Sequence, residues 1–154
     1  MNISSICTRR LVAVDGGSTL FQAAAMMREQ HVGALVITHS VGGGASVSGI
    51  VTDRDLVIEV LAQGLDPAGI KVGELASETI VSVTENADLA DTMAVMEEHG
   101  VRRVLVTDAE ERVVGIVALD DLMGACADEI AGLSKVIRSG LQRETVQVDD
   151  MPPM

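Results

Sequence analysis

Tryptophan and tyrosine are missing from this chain, and Phe21 is its only aromatic residue. A core without rings is filled instead by Val, Leu, Ile, Ala and eight Met, whose flexible thioethers close irregular gaps. Positive charge is scarce as well: 11 Lys+Arg stand against 23 Asp+Glu, for a net charge of −12, and Lys71 and Lys135 are the only lysines. Nucleic acids are gripped by clustered cations and stacking aromatics, so a nucleic-acid partner is excluded. No apolar run approaches the roughly 20 residues that span a bilayer, and the start of the chain has no signal-peptide pattern. The expectation is a soluble, cytoplasmic protein with no membrane partner. Cys7 and Cys126 form no Cys-x-x-Cys pair and have no histidine at metal-ligand spacing, so they read as ordinary buried thiols. His31, His39 and His99 are each isolated, which leaves no evident general base.

What the chain has is repetition. Gly49-Ile50-Val51-Thr52-Asp53-Arg54-Asp55-Leu56 looks like a strand turning directly into a helix, with Thr52 at the N-cap and Asp55 three residues on, the pattern of a capping box. It recurs as Gly115-Ile116-Val117-Ala118-Leu119-Asp120-Asp121-Leu122. A shift of about seventy residues also lays Leu11-Val12-Ala13-Val14 on Ile80-Val81-Ser82-Val83, Met27 on Met96, and His31 to Thr38 on Gly100 to Thr107. The run-ups agree too, Ile3 and Ile6 falling on Val72 and Leu75. A tandem repeat of this length dominates the fold.

In chain order, a strand is expected over Leu11 to Val14, then a helix over Thr19 to Gln30 capped by Ser18. Strands Val32 to Thr38 and Val47 to Thr52 flank a loop at residues 39–46, whose three glycines lead to a strand and so make a hairpin loop rather than a phosphate cradle. A helix from Asp53 should end near Gln63 with Gly64 as its C-cap. The second copy reads as a strand at Thr79 to Val83, an Asn86-capped helix from Ala87 to Glu98, strands at Arg102 to Thr107 and Val113 to Val117 around an acidic turn, and a last helix running from Leu119 or Asp120 towards Arg143. The fold class is therefore α+β: two β-α-β-β-α units packed by pseudo-twofold symmetry. The units span residues 1–68 and 69–127, followed by a helical extension at 128–145 and a loose tail at 146–154.

This order, with Gly-Ile-Val-Thr-Asp-Arg-Asp-Leu closing the third strand, resembles the CBS domain, and the paired copies resemble a stand-alone Bateman module over roughly Ile3 to Ala127. The resemblance implies a composite adenosine site. Its carboxylate accepts from both ribose hydroxyls, and its Thr or Ser helps to hold ribose or phosphate. Site one would join Thr52 and Asp55 to Thr79, Ile80 and Val81 around the adenine, with Arg102 and Arg103 at the phosphate end. Site two would join Asp121 to Leu11, Val12, Gly33 and Ala34. It would be the weaker site, because Ala118 replaces the hydroxyl residue and no positive charge is in view.

The preferred function is thus a regulatory module sensing an adenine nucleotide, AMP, ADP or ATP, with NAD and S-adenosylmethionine sharing the same ribose and base. Apolar faces after Asp53 (Leu56, Val57, Val60, Leu61) and after Asp120 (Leu122, Met123, Ile130, Leu133) suggest a homodimer. An unidentified protein partner would feel the ligand by linkage. Two rival readings are a structural interaction module with vestigial sites and a phosphoryl-transfer or hydrolytic enzyme built on the paired aspartates; no metal site and no catalytic residue is assigned.

Overall fold

The computed structural model describes residues 1–75 and 80–149. Its elements are a 3-10 turn at Ile3–Ser5, β1 (Ala13–Asp15), α1 (Leu20–Gln30), β2 (Ala34–Val41), β3 (Gly44–Thr52) and a short α2 (Asp53–Asp55) that continues as a π-helix over Leu56–Leu61. There follow α3 (Val72–Leu75), β4 (Ser82–Thr84), α4 (Leu89–His99), β5 (Arg103–Thr107), β6 (Val113–Ala118) and α5 (Leu119–Asp149). The α+β repeat is as expected. Each copy holds a three-stranded sheet, β1-β2-β3 or β4-β5-β6, in which the first pair is parallel and the second antiparallel.

Alternation along the central strands builds two cores. Leu35 and Ile37 face a cluster with Val14, Leu20, Met27, Val51 and Val60. Val104 and Val106 face another with Val83, Met96, Val117 and Leu122. The intervening residues, Val36 and Leu105, are buried yet belong to neither cluster; they lie on the opposite faces of their strands.

The run-ups are exchanged. Ile3, wholly buried, packs into the core of the second repeat, held there by Ile3 N–H to the Ala87 carbonyl at 2.9 Å and by paired bonds between Thr8 and Ile116. Val72, also wholly buried, packs with Ile70 and Leu75 into the core of the first, where its N–H donates to the Ser18 carbonyl at 2.8 Å. Each short segment covers an apolar edge that the other repeat leaves open.

Several boundaries differ from the sequence expectation for local reasons. Thr19, not Ser18, caps α1, because its hydroxyl accepts from Gln22 N–H at 3.2 Å while the Gln22 side chain returns to Thr19 N–H at 2.9 Å. Asp88, not Asn86, caps α4 through Asp91 N–H at 2.8 Å. Strand β1 begins at Ala13 rather than Leu11, and β4 at Ser82. The expected loop at 39–46 is mostly strand: after a bulge at Ile37/Thr38 the β2-β3 ladder continues to Val41 and Gly44. Its turn is just Gly42-Gly43, with φ of +56° and +89°, the backbone of a tight hairpin whose twist suits its strands. The helix after Thr52 widens to π geometry, with Ala62 N–H reaching the Val57 carbonyl and Leu65 N–H the Val60 carbonyl. Helix α5 extends to Asp149, through part of the segment expected to be a loose tail.

Candidate functional site

The two repeats enclose a cleft of about 760 Å³, within the range of small-molecule sites. Thr52, Asp55, Ile80, Val81, Arg102 and Arg103, named from the sequence, all line it. Thr79 lies outside the described residues.

The β3 strand ends at Thr52 and the chain enters α2 at once, so the capping box forms. Thr52 Oγ1 accepts from Asp55 N–H at 3.2 Å, and Asp55 Oδ2 accepts from Thr52 N–H at 2.8 Å. The capping box does not exhaust the polar capacity of these two side chains. The box uses one carboxylate oxygen and the acceptor side of the hydroxyl, and among the described residues Asp55 Oδ1 and the Thr52 hydroxyl proton have no partner. Half-buried Asp55 is therefore a fixed acceptor at the cleft wall.

Ile80 and Val81 line the same cleft. The Val81 carbonyl accepts from Leu105 N–H at 3.1 Å, so this backbone is not wholly available to a ligand. Among the described residues the Val81 N–H has no backbone partner. Arg102 is exposed and Arg103 half-buried at the start of β5. Sequence reasoning missed Arg54, His99 and the second signature's Ala118, Leu119 and Asp120, all of which line the same cleft. The pseudo-twofold packing brings the two signatures together, which spacing along the chain does not reveal. Three of the chain's 11 cationic side chains thus converge on one cleft of a protein with net charge −12. Asp53, Asp55 and Asp120 line the same cleft. Such a mixed lining suits a ligand with hydroxyls at one end and negative charge at the other.

The second cleft is smaller, about 200 Å³, and gathers Leu11, Val12, Gly33, Ala34 and Asp121 as expected. Asp121 Oδ2 accepts from Ala118 N–H at 2.8 Å, preserving half the capping box, while the hydroxyl half is absent. The expectation that this cleft lacks positive charge is overturned: Arg10 and Arg103 line it. Arg10 escaped notice because it precedes the strand instead of following the helix, as Arg102 and Arg103 do.

The sequence pattern of the CBS domain family matches residues 3–62 and 72–128. This chain belongs to the CBS domain family. It is 48% identical over 112 residues to Hypoxic response protein 1 of Mycobacterium tuberculosis, an alignment covering 73% of this chain and 76% of that one. A crystal structure of Hypoxic Response Protein I with two coordinated zinc ions superposes with a TM-score of 0.66 at 41% identity, over 80% of this chain and 97% of that one. A CBS domain protein from Pyrobaculum aerophilum complexed with AMP superposes with a TM-score of 0.69 at 21% identity, over 79% of this chain and 89% of that one, a likeness of fold. Among the described residues of this CBS pair, no three His, Cys, Asp or Glu side chains converge as a metal site would require, and no helix is long and apolar enough to cross a membrane.

Proposed function

We propose that this CBS pair is a regulatory module that binds an adenine nucleotide in the larger cleft and transmits occupancy to a protein partner. The observation that carries this reading is the joining of Thr52 and Asp55 to Arg54, Arg102 and Arg103 in one 760 Å³ space. Asp55 Oδ1 accepts from the ribose hydroxyls, the Thr52 hydroxyl donates to ribose or phosphate, and the guanidinium groups hold the phosphate in forked, permanently charged contacts. The base lies against the aliphatic walls of Ile80 and Val81, since no Phe, Tyr or Trp lines the cleft. The AMP bound by the Pyrobaculum protein, which shares the fold, supports this ligand class.

The same reading takes the protein as a homodimer. Val57, Ile58 and Leu61 after the first signature are exposed, as are Met123, Ile130 and Leu133 along α5, a surface larger than scattered apolar residues explain. Of the faces read from the sequence, Val60 and Leu122 turn inward to the two cores and Leu56 packs against the first. Isologous pairing of the outward set covers the helices and leaves the clefts central. A shift in helix packing on ligand binding then changes what a partner meets.

A thermal-shift titration with AMP, ADP, ATP, NAD and S-adenosylmethionine tests the reading. A concentration-dependent rise with a phosphate-bearing adenine nucleotide is expected. No rise with any of the five at millimolar concentration refutes it in favour of an interaction module with vestigial sites.

A further inference from the structure

Arg103 lines both clefts. It is half-buried, on the face of β5 that carries Leu105, opposite the side that Val104 and Val106 give to the core. Among the described residues it forms no ion pair: the three that exist are Arg9 with Glu85 and Arg112 with Asp108 and with Glu110. Its place is also where the repeats part company. Ala34 pairs with Thr52 across the first hairpin, and Arg103 pairs with Ala118 across the second. One repeat therefore sets a small side chain beside a hydroxyl, and the other sets a long cation beside a methyl. Ala118 also lines both clefts, so the residue that removes a hydroxyl from the second signature leaves Arg103 room to turn either way.

We propose that Arg103 couples the two clefts: a phosphate-sized anion held in the smaller one by Arg10 and Arg103 weakens the phosphate-bearing nucleotide in the larger one. The inference rests on the nucleotide reading above. At about 200 Å³ the smaller cleft falls below the usual volume for a drug-sized ligand but has room for a single phosphate group. Thr8 adds a hydroxyl near Arg10, and the opposing charge there, Asp121, is turned by Oδ2 onto the Ala118 N–H. A guanidinium forked onto an anion on one side cannot complete the same fork on the other. Two bound anions also repel across a site with one shared cation. The coupling is therefore negative, and by linkage the nucleotide weakens the anion by the same factor.

The experiment is a calorimetric titration of AMP into the protein at increasing inorganic phosphate and constant ionic strength, with adenosine as the arm that carries no phosphate. For the wild type, the apparent Kd for AMP should rise at least about fivefold and then level off, the mark of a bounded coupling between two sites. Adenosine should show a smaller rise. Arg10→Ala, at an exposed position outside the larger cleft, should leave AMP affinity in phosphate-free buffer unchanged and abolish the phosphate effect. Ala118→Thr should reduce the effect by filling the room beside Arg103. An apparent Kd that climbs without limit and is indifferent to Arg10→Ala means that phosphate competes directly in the larger cleft, and overturns the proposal. So does a Kd that phosphate does not move. If AMP and adenosine fail to bind in phosphate-free buffer, the nucleotide reading itself falls and the coupling with it.

Discussion

Replacing Asp55 by alanine removes two things that the structure allows to be told apart. The first is the acceptor for Thr52 N–H at 2.8 Å, half of a capping box, whose loss costs about 1 kcal/mol of stability. In a domain of this size that lowers Tm by about 2–4 °C. The second is the charged acceptor that the proposed function assigns to the ribose hydroxyls. A hydrogen bond to a charged group contributes about 1.5–3 kcal/mol, so AMP affinity should fall between about tenfold and about 150-fold. Asp55→Asn keeps an acceptor for the cap and loses the charge, so its Tm should stay near that of the wild type while its affinity still falls. Calorimetric AMP titration alongside thermal unfolding separates the two effects. The reasoning fails if folded Asp55→Ala binds AMP as tightly as the wild type, or if affinity falls only in the variant that loses stability.

The exchanged run-up predicts that Ile3→Ala, opening a cavity at a wholly buried position, costs about 2–5 kcal/mol; urea unfolding measures it, and an unchanged midpoint refutes the exchange. His31 ends α1 with φ of +53°, where the other repeat has Gly100 at +62°. A left-handed backbone costs a side-chain-bearing residue about 1–2 kcal/mol, so His31→Gly should raise Tm, and a fall would contradict the argument. The Arg112 guanidinium, donating from Nε to Asp108 Oδ2 at 2.9 Å, holds the Asp108 carboxyl below its ordinary range. Because the folded value is depressed, this contact's contribution is present above the ordinary carboxylate range and is lost as pH falls through the depressed value. Arg112→Ala should raise the titration midpoint of the Asp108 carboxyl in an NMR titration. If the protein is the proposed dimer, charged substitutions at Ile58 and Leu133, both exposed, should shift its sedimentation towards monomer without unfolding it, and an unmoved sedimentation coefficient counts against those faces as the interface.

Much was legible in the linear chain because its signals are local or periodic. The capping box at Thr52 and Asp55 is written within four residues, and the internal shift of about seventy residues exposes the second copy and the pairing of Asp55 with Asp121. The β2-β3 hairpin was partly legible. Gly42 and Gly43 mark the turn, but only cross-strand pairing carries the ladder through Ser40 and Ala45, since a polar stretch has no β signal of its own. The caps at Thr19 and Asp88 each lay within two residues of the expected one. Neighbouring polar side chains all have capping chemistry, and the path of the backbone chooses among them.

The sequence by itself determined the repeat, the strand-to-helix signatures, the aliphatic core and the scarcity of cations, because each follows from residue type and short-range spacing. Tertiary packing decided that Ile3 serves the second core and Val72 the first, that Arg54 and His99 reach the larger cleft, and that Arg10 reaches the smaller. It also decided that one arginine stands between the two. These depend on how the repeats dock, and docking joins residues whose separation along the chain carries no periodic or local trace.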